Sequence, residues 1–316
     1  MKQEVSAGAI VYKIDKGIKF LFLISPKMNL DIPKGHIEKG ESSIEAAKRE
    51  IKEETGLEVD FIPYFEYKNK YFFSENGERI LKRVNVYLAN VSKNANVMVS
   101  EEHIGYEWLS YSKAMNKVKY RDMKALLKKA YDYIKRYEKM KKLNARYKSV
   151  SNRKSFSLSR RFVPGEGPLN ANIMLIGQAP GDTEDKMLRP FVGRSGRLLD
   201  EILTHAKIKR DSVYITSVVQ FYPPKNRLPT QEEVRLCEPF LKKQIEIVKP
   251  KFIILLGNLA VQTVLGIEGV EKLHGKVVRK NSMTYLATYH PAAALRFPRT
   301  KREMLKDFEK FKRIVG

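Results

Sequence analysis

Residues 35–57 read GHIEKGESSIEAAKREIKEETGL, and their spacing predicts a helix over Ser42–Glu54. Ser42 and Glu45 stand at the interval of a capping box. Ile44, Ala47 and Ile51 fall on one face and mark the side to be buried. Glu50 and Glu54 are i and i+4, so both carboxylates project from one face, with Glu53 at its edge. Clustered carboxylates repel one another unless a cation sits among them. Hard oxygen donors of this kind suit Mg2+ or Mn2+. The stretch therefore reads as a metal-binding helix; the plain alternative is a salt-bridged face turned to solvent.

Working outward, AGAIVYK and KFLFLIS before the helix are apolar segments of strand length, and RVNVYLANV after it alternates with period two over part of its length. The first third is thus strands around one helix. From Ser112 to about Tyr147 the pattern is helical again, with Ala114, Val118, Leu126, Leu127, Ala130, Tyr133 and Ile134 as its apolar positions. A first domain is expected over 1–140. Between Tyr120 and Arg161 there are 15 Lys/Arg against 3 Asp/Glu, half of the chain's surplus of +24. This stretch ends in the polar SVSNRKSFSLSRR, so a basic linker is expected over 141–161. It is either a solvated helix face with a tether or a bridge that contacts nucleic acid.

The remainder, 162–316, alternates strands and helices. ANIMLIG, SVYITSVV, KFIILLG and MTYLATY are short and apolar, as buried parallel strands are. SGRLLDEILTHA, TQEEVRLCEPFLKKQIEIV and NLAVQTVL separate them as helices. This is a doubly wound α/β layout with a central four-stranded parallel sheet, in which ligands sit at the carboxyl ends of the strands.

The chain has 316 residues and is 43% hydrophobic, enough for two cores. No apolar run is long enough to span a membrane, and MKQEVSAGAIVY lacks the layout of a signal peptide. The lone Cys237 excludes an internal disulfide and a Cys-only metal cage. A reducing cytoplasm is the expected compartment. The net charge of +24 favours a polyanionic partner, with DNA or RNA the first candidates, against the plain reading of a Lys-rich soluble surface.

Residues 35–57 match G-x5-E-x7-R-E-U-x-E-E-x-G-U, where U is aliphatic, at every fixed position, and the stretch is identified as a Nudix box. That resemblance implies an α/β/α sandwich with a mixed sheet and Mg2+-dependent cleavage of nucleoside diphosphate linkages. It gives the metal to the carbonyl of Gly35 and to Glu50, Glu53 and Glu54. Glu53 also serves catalysis, and Arg49 holds the carboxylates in place. SAGAIVY, PKGHIEKGE and Glu102-His103-x-x-Tyr106-x-Trp108-Leu109 resemble diadenosine tetraphosphate hydrolases. Glu102 then becomes a candidate base or metal-site residue. Tyr106 either stacks on a base or packs in the core, and His103 and Trp108 read as structural. The implied substrates are dinucleoside polyphosphates, with nucleoside triphosphates and RNA 5′ ends as alternatives.

GQAPGDTEDKMLRPFVGRSGRLLDEIL, from Gly177, resembles the first motif of family-4 uracil-DNA glycosylases. VPGEG before it, then VYITSVVQFYPPKNRLPTQEEVRLCEPFLKKQI and ATYHPAAALRFP, agree in order. The chemistry asks for a pocket that grips a base flipped out of the stack. The resemblance gives the stacking face to Phe191 and the donor to the developing base anion to His290. It places Gly177, Gln178, Ala179, Pro180 and Gly181 at the ligand, Glu184 and Asp185 as water-orienting acids, and Ser217 and Asn226 in the pocket. Leu295 and Arg296 would wedge into the duplex. The plain alternative for His290 is a buried core histidine.

Three departures from that family matter. Its members hold a 4Fe–4S cluster on four cysteines. Here Cys237 occupies the last ligand position, Phe221 the third, and the first pair falls near Arg153 and Phe156. One thiolate cannot hold the cluster, so none is expected, and apolar packing around Phe221 and Phe156 is the expected replacement. Gln178 stands where Glu is usual. Ser217 stands where an Asn reads the uracil edge, and a hydroxyl lacks the bidentate geometry of an amide. The expectation is a bifunctional enzyme that hydrolyses a nucleotide polyphosphate and excises uracil or another deaminated base from DNA. The alternative is a Nudix hydrolase carrying a non-catalytic DNA- or RNA-binding module. Protein partners are not legible.

Overall fold

The apolar runs that flank the 35–57 segment pair as strands in the computed structural model, which describes residues 3–75, 78–152, 157–280 and 283–315. Two units divide the chain, Met1–Lys135 and Arg136–Gly316. The first unit runs β1 (Gln3–Ile14), β2 (Ile18–Ile24), β3 (Leu30–Asp31), β4 (Lys34–His36), α1 (Ser43–Thr55), β5 (Asp60–Glu75), β6 (Glu78–Asn90), β7 (Gly105–Ser110) and α2 (Tyr111–Lys117), and then enters α3 (Arg121–Ser149). Its sheet has the order β3-β2-β1-β6-β5, with β4 added on β1 and β7 on β2. β1 and β6 run parallel and the other recorded pairs antiparallel, so the sheet is mixed, as expected.

Helix α1 is set by its caps. The Ser42 hydroxyl accepts from the Glu45 N–H, and the Glu45 carboxylate accepts from the Ser42 N–H at 2.9 Å. Gly56 ends the helix in the left-handed region. Ala46, Ala47 and Ile51 bury their side chains against Ala7, Ala9, Val11, Leu21 and Ala89. Ile44, expected on that face, is instead 44% exposed. It stands in the first turn, and the buried stripe runs through Ala47, Ile51, Glu54 and Thr55. The first turns of α3 cover the other side of the sheet through Leu126, Leu127, Ala130 and Ile134. The helical stretch read as continuous from Ser112 is broken around Val118, which caps α2.

The second unit continues from α3 into β8 (Ile173–Gly177), α4 (Asp182–Met187), α5 (Arg194–His205), β9 (Val213–Ser217), α6 (Gln231–Val248), β10 (Phe252–Leu256), α7 (Asn258–Leu265), β11 (Val277–Lys280), β12 (Met283–Thr288), α8 (Pro291–Ala294) and α9 (Pro298–Val315). The sheet order is β11-β12-β10-β8-β9. The four expected strands are parallel, and β11 adds an antiparallel edge. One face packs α5 and α9 through Leu199, Ile202, Met304 and Phe308 against Leu175, Ile215 and Ile254. The other face meets α6, where Thr216 bonds Gln244.

Residues 141–149, read from their charge as a linker, continue α3. Met140, Leu143, Tyr147 and Val150 are buried at helical spacing, and a charge count hides that stripe. Arg136 donates to the carbonyls of Leu169, Ile247 and Val248, the last two being orphaned acceptors at the end of α6. Among the described residues no helix is long and apolar enough to cross a membrane.

Candidate active sites

In the first unit, α1 carries its carboxylates to the loop around β4. Gly35 lies against Glu50 so closely that a Cβ there would stand 2.0 Å from Glu50 Oε1 and displace that carboxylate. Arg49 gathers the acids, donating to Glu41 at 3.0 and 3.1 Å, to Glu50 at 2.9 Å, to Glu53 at 3.0 Å and to the His36 carbonyl at 2.9 Å. Glu54 is buried and accepts from the Lys34 N–H at 3.2 Å. Burial pushes its carboxyl up to about 8, and the charges of Glu50 and Asp31 add to the rise.

The loop bearing Glu102 is tied to the end of α1, where the Ser100 N–H donates to the Glu54 carbonyl at 3.2 Å. Glu102 itself is exposed. Tyr106 is 40% exposed, which removes the core reading for it. Trp108 packs on the α1 core and carries Lys13 over its ring at 4.3 Å. A cavity of about 480 Å³ opens on the α3 side of the sheet beside β4, with Asp31, Lys34, Tyr71 and Tyr120 in its wall. Sequence reading missed the two tyrosines, because they lie on separate elements and form no motif.

In the second unit, the parallel strands end at Gly177, Ser217, Leu256 and Thr288, and the loops beyond them enclose a cavity of about 460 Å³. β9 lies on one side of β8 and β10 on the other, so the cavity sits where strand order reverses. Gln178, Ala179, Pro180, Gly181, Glu184, Phe191, Ser217, Asn226, His290 and Arg296 all line it. Phe191 holds a left-handed backbone, φ 52°, at a cost of about 1–2 kcal/mol. Its ring fills the space where a Cβ on Gly177 would stand, 2.5 Å from Cζ, and lies 5.8 Å from the His290 ring.

His290 caps α8: its Nδ1 accepts from the Ala292 N–H at 3.1 Å. The proton is therefore on Nε2, which is buried and has no partner among the described residues. Burial lowers the ring's pKa to about 4.

A NUDIX domain model matches residues 2–130, and a Uracil DNA glycosylase superfamily model matches residues 164–312. A type-4 uracil-DNA glycosylase from Pyrobaculum aerophilum is 43% identical over 159 residues, 47% of this chain and 81% of that relative. A mouse bis(5'-nucleosyl)-tetraphosphatase [asymmetrical] is 31% identical over 106 residues, 32% of this chain and 69% of that relative. The chain belongs to the Nudix family and to the uracil-DNA glycosylase superfamily. It is a hydrolytic enzyme on both counts. A Caenorhabditis elegans Ap4A hydrolase in a binary complex, 30% identical, covers 40% of this chain and 93% of its own with a TM-score of 0.36.

The oxygen donors of the Nudix unit fit a hard divalent cation: Glu54 is a buried carboxylate beside Glu50, and Glu50 rests on the Gly35 backbone. Among the described residues no three acidic, His or Cys side chains converge on one point. The reason is local, because Arg49 draws Glu50 and Glu53 to itself.

An Fe–S cluster does not fit the glycosylase unit. Cys237 is fully buried, and burial raises its thiol to about 11, away from the thiolate a cluster needs. Phe221 is fully buried at the third position. Tyr147 contacts the Cys237 thiol, stacks on Phe240 at 4.2 Å, and meets Phe162 and Phe221 edge-on at 5.2 and 5.3 Å. Arg153 and Phe156 lie outside the described residues, so the expected packing of Phe156 is not addressed. The aromatic centre found here is Tyr147, from the stretch read as linker. Tyr147→Ala should cost about 3–5 kcal/mol, read as a fall in the denaturant midpoint; an unchanged midpoint contradicts this packing.

The other expected residues of the glycosylase unit stand in and around the cavity. Glu184 lines the cavity, and its carboxylate accepts from the N–H groups of Val192, Gly193 and Gly181 at 3.0, 2.7 and 3.1 Å. It pins the loop that carries Phe191. Asp185 is buried beside Arg161 at 3.6 Å and does not line the cavity. Leu295 is 44% exposed and also stands outside the lining, whereas Phe297, 60% exposed, borders it. Phe297 was legible only as the residue before Pro298.

The His290 shift carries a pH prediction. An unfolded histidine takes up its proton near 6.5, and the folded ring does so only near 4. The unfolded state binds more protons between these values, so stability falls as pH drops from 6.5 toward 4 while the folded ring stays neutral. Base release should therefore show no acid limb centred near pH 6.5 in a rate profile. Such a limb, absent from a His290→Gln variant, would contradict the assignment.

Proposed function

We propose that this chain is a bifunctional enzyme of nucleotide sanitation and DNA repair. The first unit hydrolyses a dinucleoside polyphosphate or nucleoside triphosphate with Mg2+ or Mn2+, and the second excises uracil or another deaminated base from DNA. The observation that carries the excision reading is the His290 Nε2–H, a buried donor without an acceptor among the described residues, on a histidine that lines one cavity with Phe191.

In the hydrolase unit the Gly35 carbonyl, Glu50, Glu53 and Glu54 would hold the ion, which supplies charge neutralisation at the diphosphate and a more acidic water. Arg49 fixes Glu50 and Glu53. Glu53 or Glu102 takes the proton from the attacking water. Tyr71 and Tyr120 offer faces for the nucleoside base in the adjoining cavity.

In the excision unit a flipped base stacks on Phe191 between the loops after β8 and β12. The C1′–N bond breaks with its electron pair passing to the base. His290 Nε2–H donates to the base carbonyl as that charge develops and remains neutral afterwards. A water positioned from the Gln178 loop adds to C1′ and gives its proton to solvent, and the released base anion takes up a proton from solvent as it leaves. Arg296 and Phe297 at the cavity rim hold the strand from which the base was drawn. Incubation with uracil-, hypoxanthine- and xanthine-containing oligonucleotides, then alkali, tests this reading; strand cleavage at the modified base is expected. Binding with no cleavage anywhere in the panel would instead support a non-catalytic DNA-binding module.

A further inference from the structure

The departure at Ser217 removes an amide from the place where the family reads its base. An amide stands three residues further on. Gln220 lines the excision cavity and is 2% exposed. Its Oε1 accepts from Gln244 Nε2 at 2.6 Å, and Gln244 Oε1 accepts from the Thr216 hydroxyl at 2.9 Å. Thr216 and Gln244 are fully buried. This relay consumes the acceptor end of the Gln220 amide. The donor end, Nε2, is buried and has no partner among the described residues.

The backbone of Gln220 is held as firmly. Its N–H donates to the Tyr147 hydroxyl at 3.4 Å, and its carbonyl accepts from the Val163 N–H at 2.9 Å. A buried amide donor without an acceptor is costly unless something supplies one. A fixed donor in the wall of a ligand cavity is placed to meet an acceptor on the ligand.

We infer that Gln220 is a specificity-determining residue that reads a carbonyl oxygen on the edge of the flipped base, supplying from position 220 the amide donor lost at 217. The inference rests on the excision reading and deepens it. A base with a carbonyl at that edge, as uracil and the deaminated purines have, meets the donor. Cytosine presents an amino group there, donor against donor, and is refused. Ser217, 6% exposed in the same wall, can donate or accept beside it. Thr216, Ser217 and Gln220 thus form the selecting wall, with Gln244 behind it holding the Gln220 amide, and Phe191 and His290 serve stacking and catalysis.

The test uses the full chain and three single-stranded oligonucleotides, carrying uncleavable 2′-fluoro-deoxyuridine, its cytosine counterpart, or an abasic analogue. Gln220→Met removes the donor. Gln220→Glu keeps an acceptor for Gln244 and also removes it, so one variant remains should the other fail to fold. Each should lose on the order of 10–100-fold in affinity for the 2′-fluoro-deoxyuridine strand, while affinity for the abasic strand stays within about twofold of wild type. Equal losses on the abasic strand would mean general damage and overturn the inference. So would unchanged affinity for the uracil strand, or a loss confined to the cytosine strand, which would mean the amide presents its oxygen. Base release by the wild type from ordinary uracil DNA is scored separately. Its absence would sink the excision reading, whereas release with unaffected variants would sink only the role of Gln220.

Discussion

His290→Ala should slow base release from uracil-containing DNA by on the order of 10²–10³, the scale of losing one donor to a developing anion. The imidazole is oriented by the Ala292 N–H on Nδ1, so its other nitrogen is committed as a donor. Low pKa keeps it neutral, and a neutral donor matches an anion that must leave without taking the ring's proton. The loss should fall on the chemical step. Single-turnover rates should drop, and affinity for an oligonucleotide with an abasic analogue should hold. A fall of less than about threefold would be smaller than one neutral hydrogen bond supplies and would return His290 to the role of a core residue.

Glu54→Gln should abolish most Mg2+-dependent turnover of dinucleoside polyphosphates or nucleoside triphosphates, by on the order of 10³. Glu54 is the most buried of the three box carboxylates, and its raised pKa records a charge that lacks compensation. The amide keeps the shape and still accepts from the Lys34 N–H, so the fold and its melting point should be nearly unchanged. Base release, which belongs to the other unit, should be unaffected. Undiminished hydrolysis by this variant would count decisively against the metal-centred reading.

Much of this was legible in sequence, for reasons that are local. The capping box at Ser42 and Glu45, the i, i+4 carboxylates and the apolar strands each declare themselves within a few residues. Arg49, beside Glu50 and four residues before Glu53, bonds both carboxylates. The same locality explains the failures. Tyr147 reads as one more residue of a basic helix until Phe162, Phe221 and Phe240 close around it. Gln220 reads as a polar residue after a strand, and only Gln244, a helix away, takes up its acceptor and leaves its donor unpaired among the described residues. Glu184 was legible as an acid near the ligand, but the backbone N–H groups that occupy it arrive with a loop whose path no spacing gives. The basic stretch reads as a linker because its charges outnumber Met140, Leu143, Tyr147 and Val150, the residues it buries.

Catalysis by both units requires that the second release a free base. The most direct measurement incubates wild-type protein with a single-stranded oligonucleotide containing one uracil, where flipping is cheapest, and counts free uracil against alkali-labile sites. Equal, rising amounts of both are expected, over a binding step that weakens steeply with salt as expected for a chain of net charge +24. Tight, salt-sensitive binding with no uracil released would contradict this expectation.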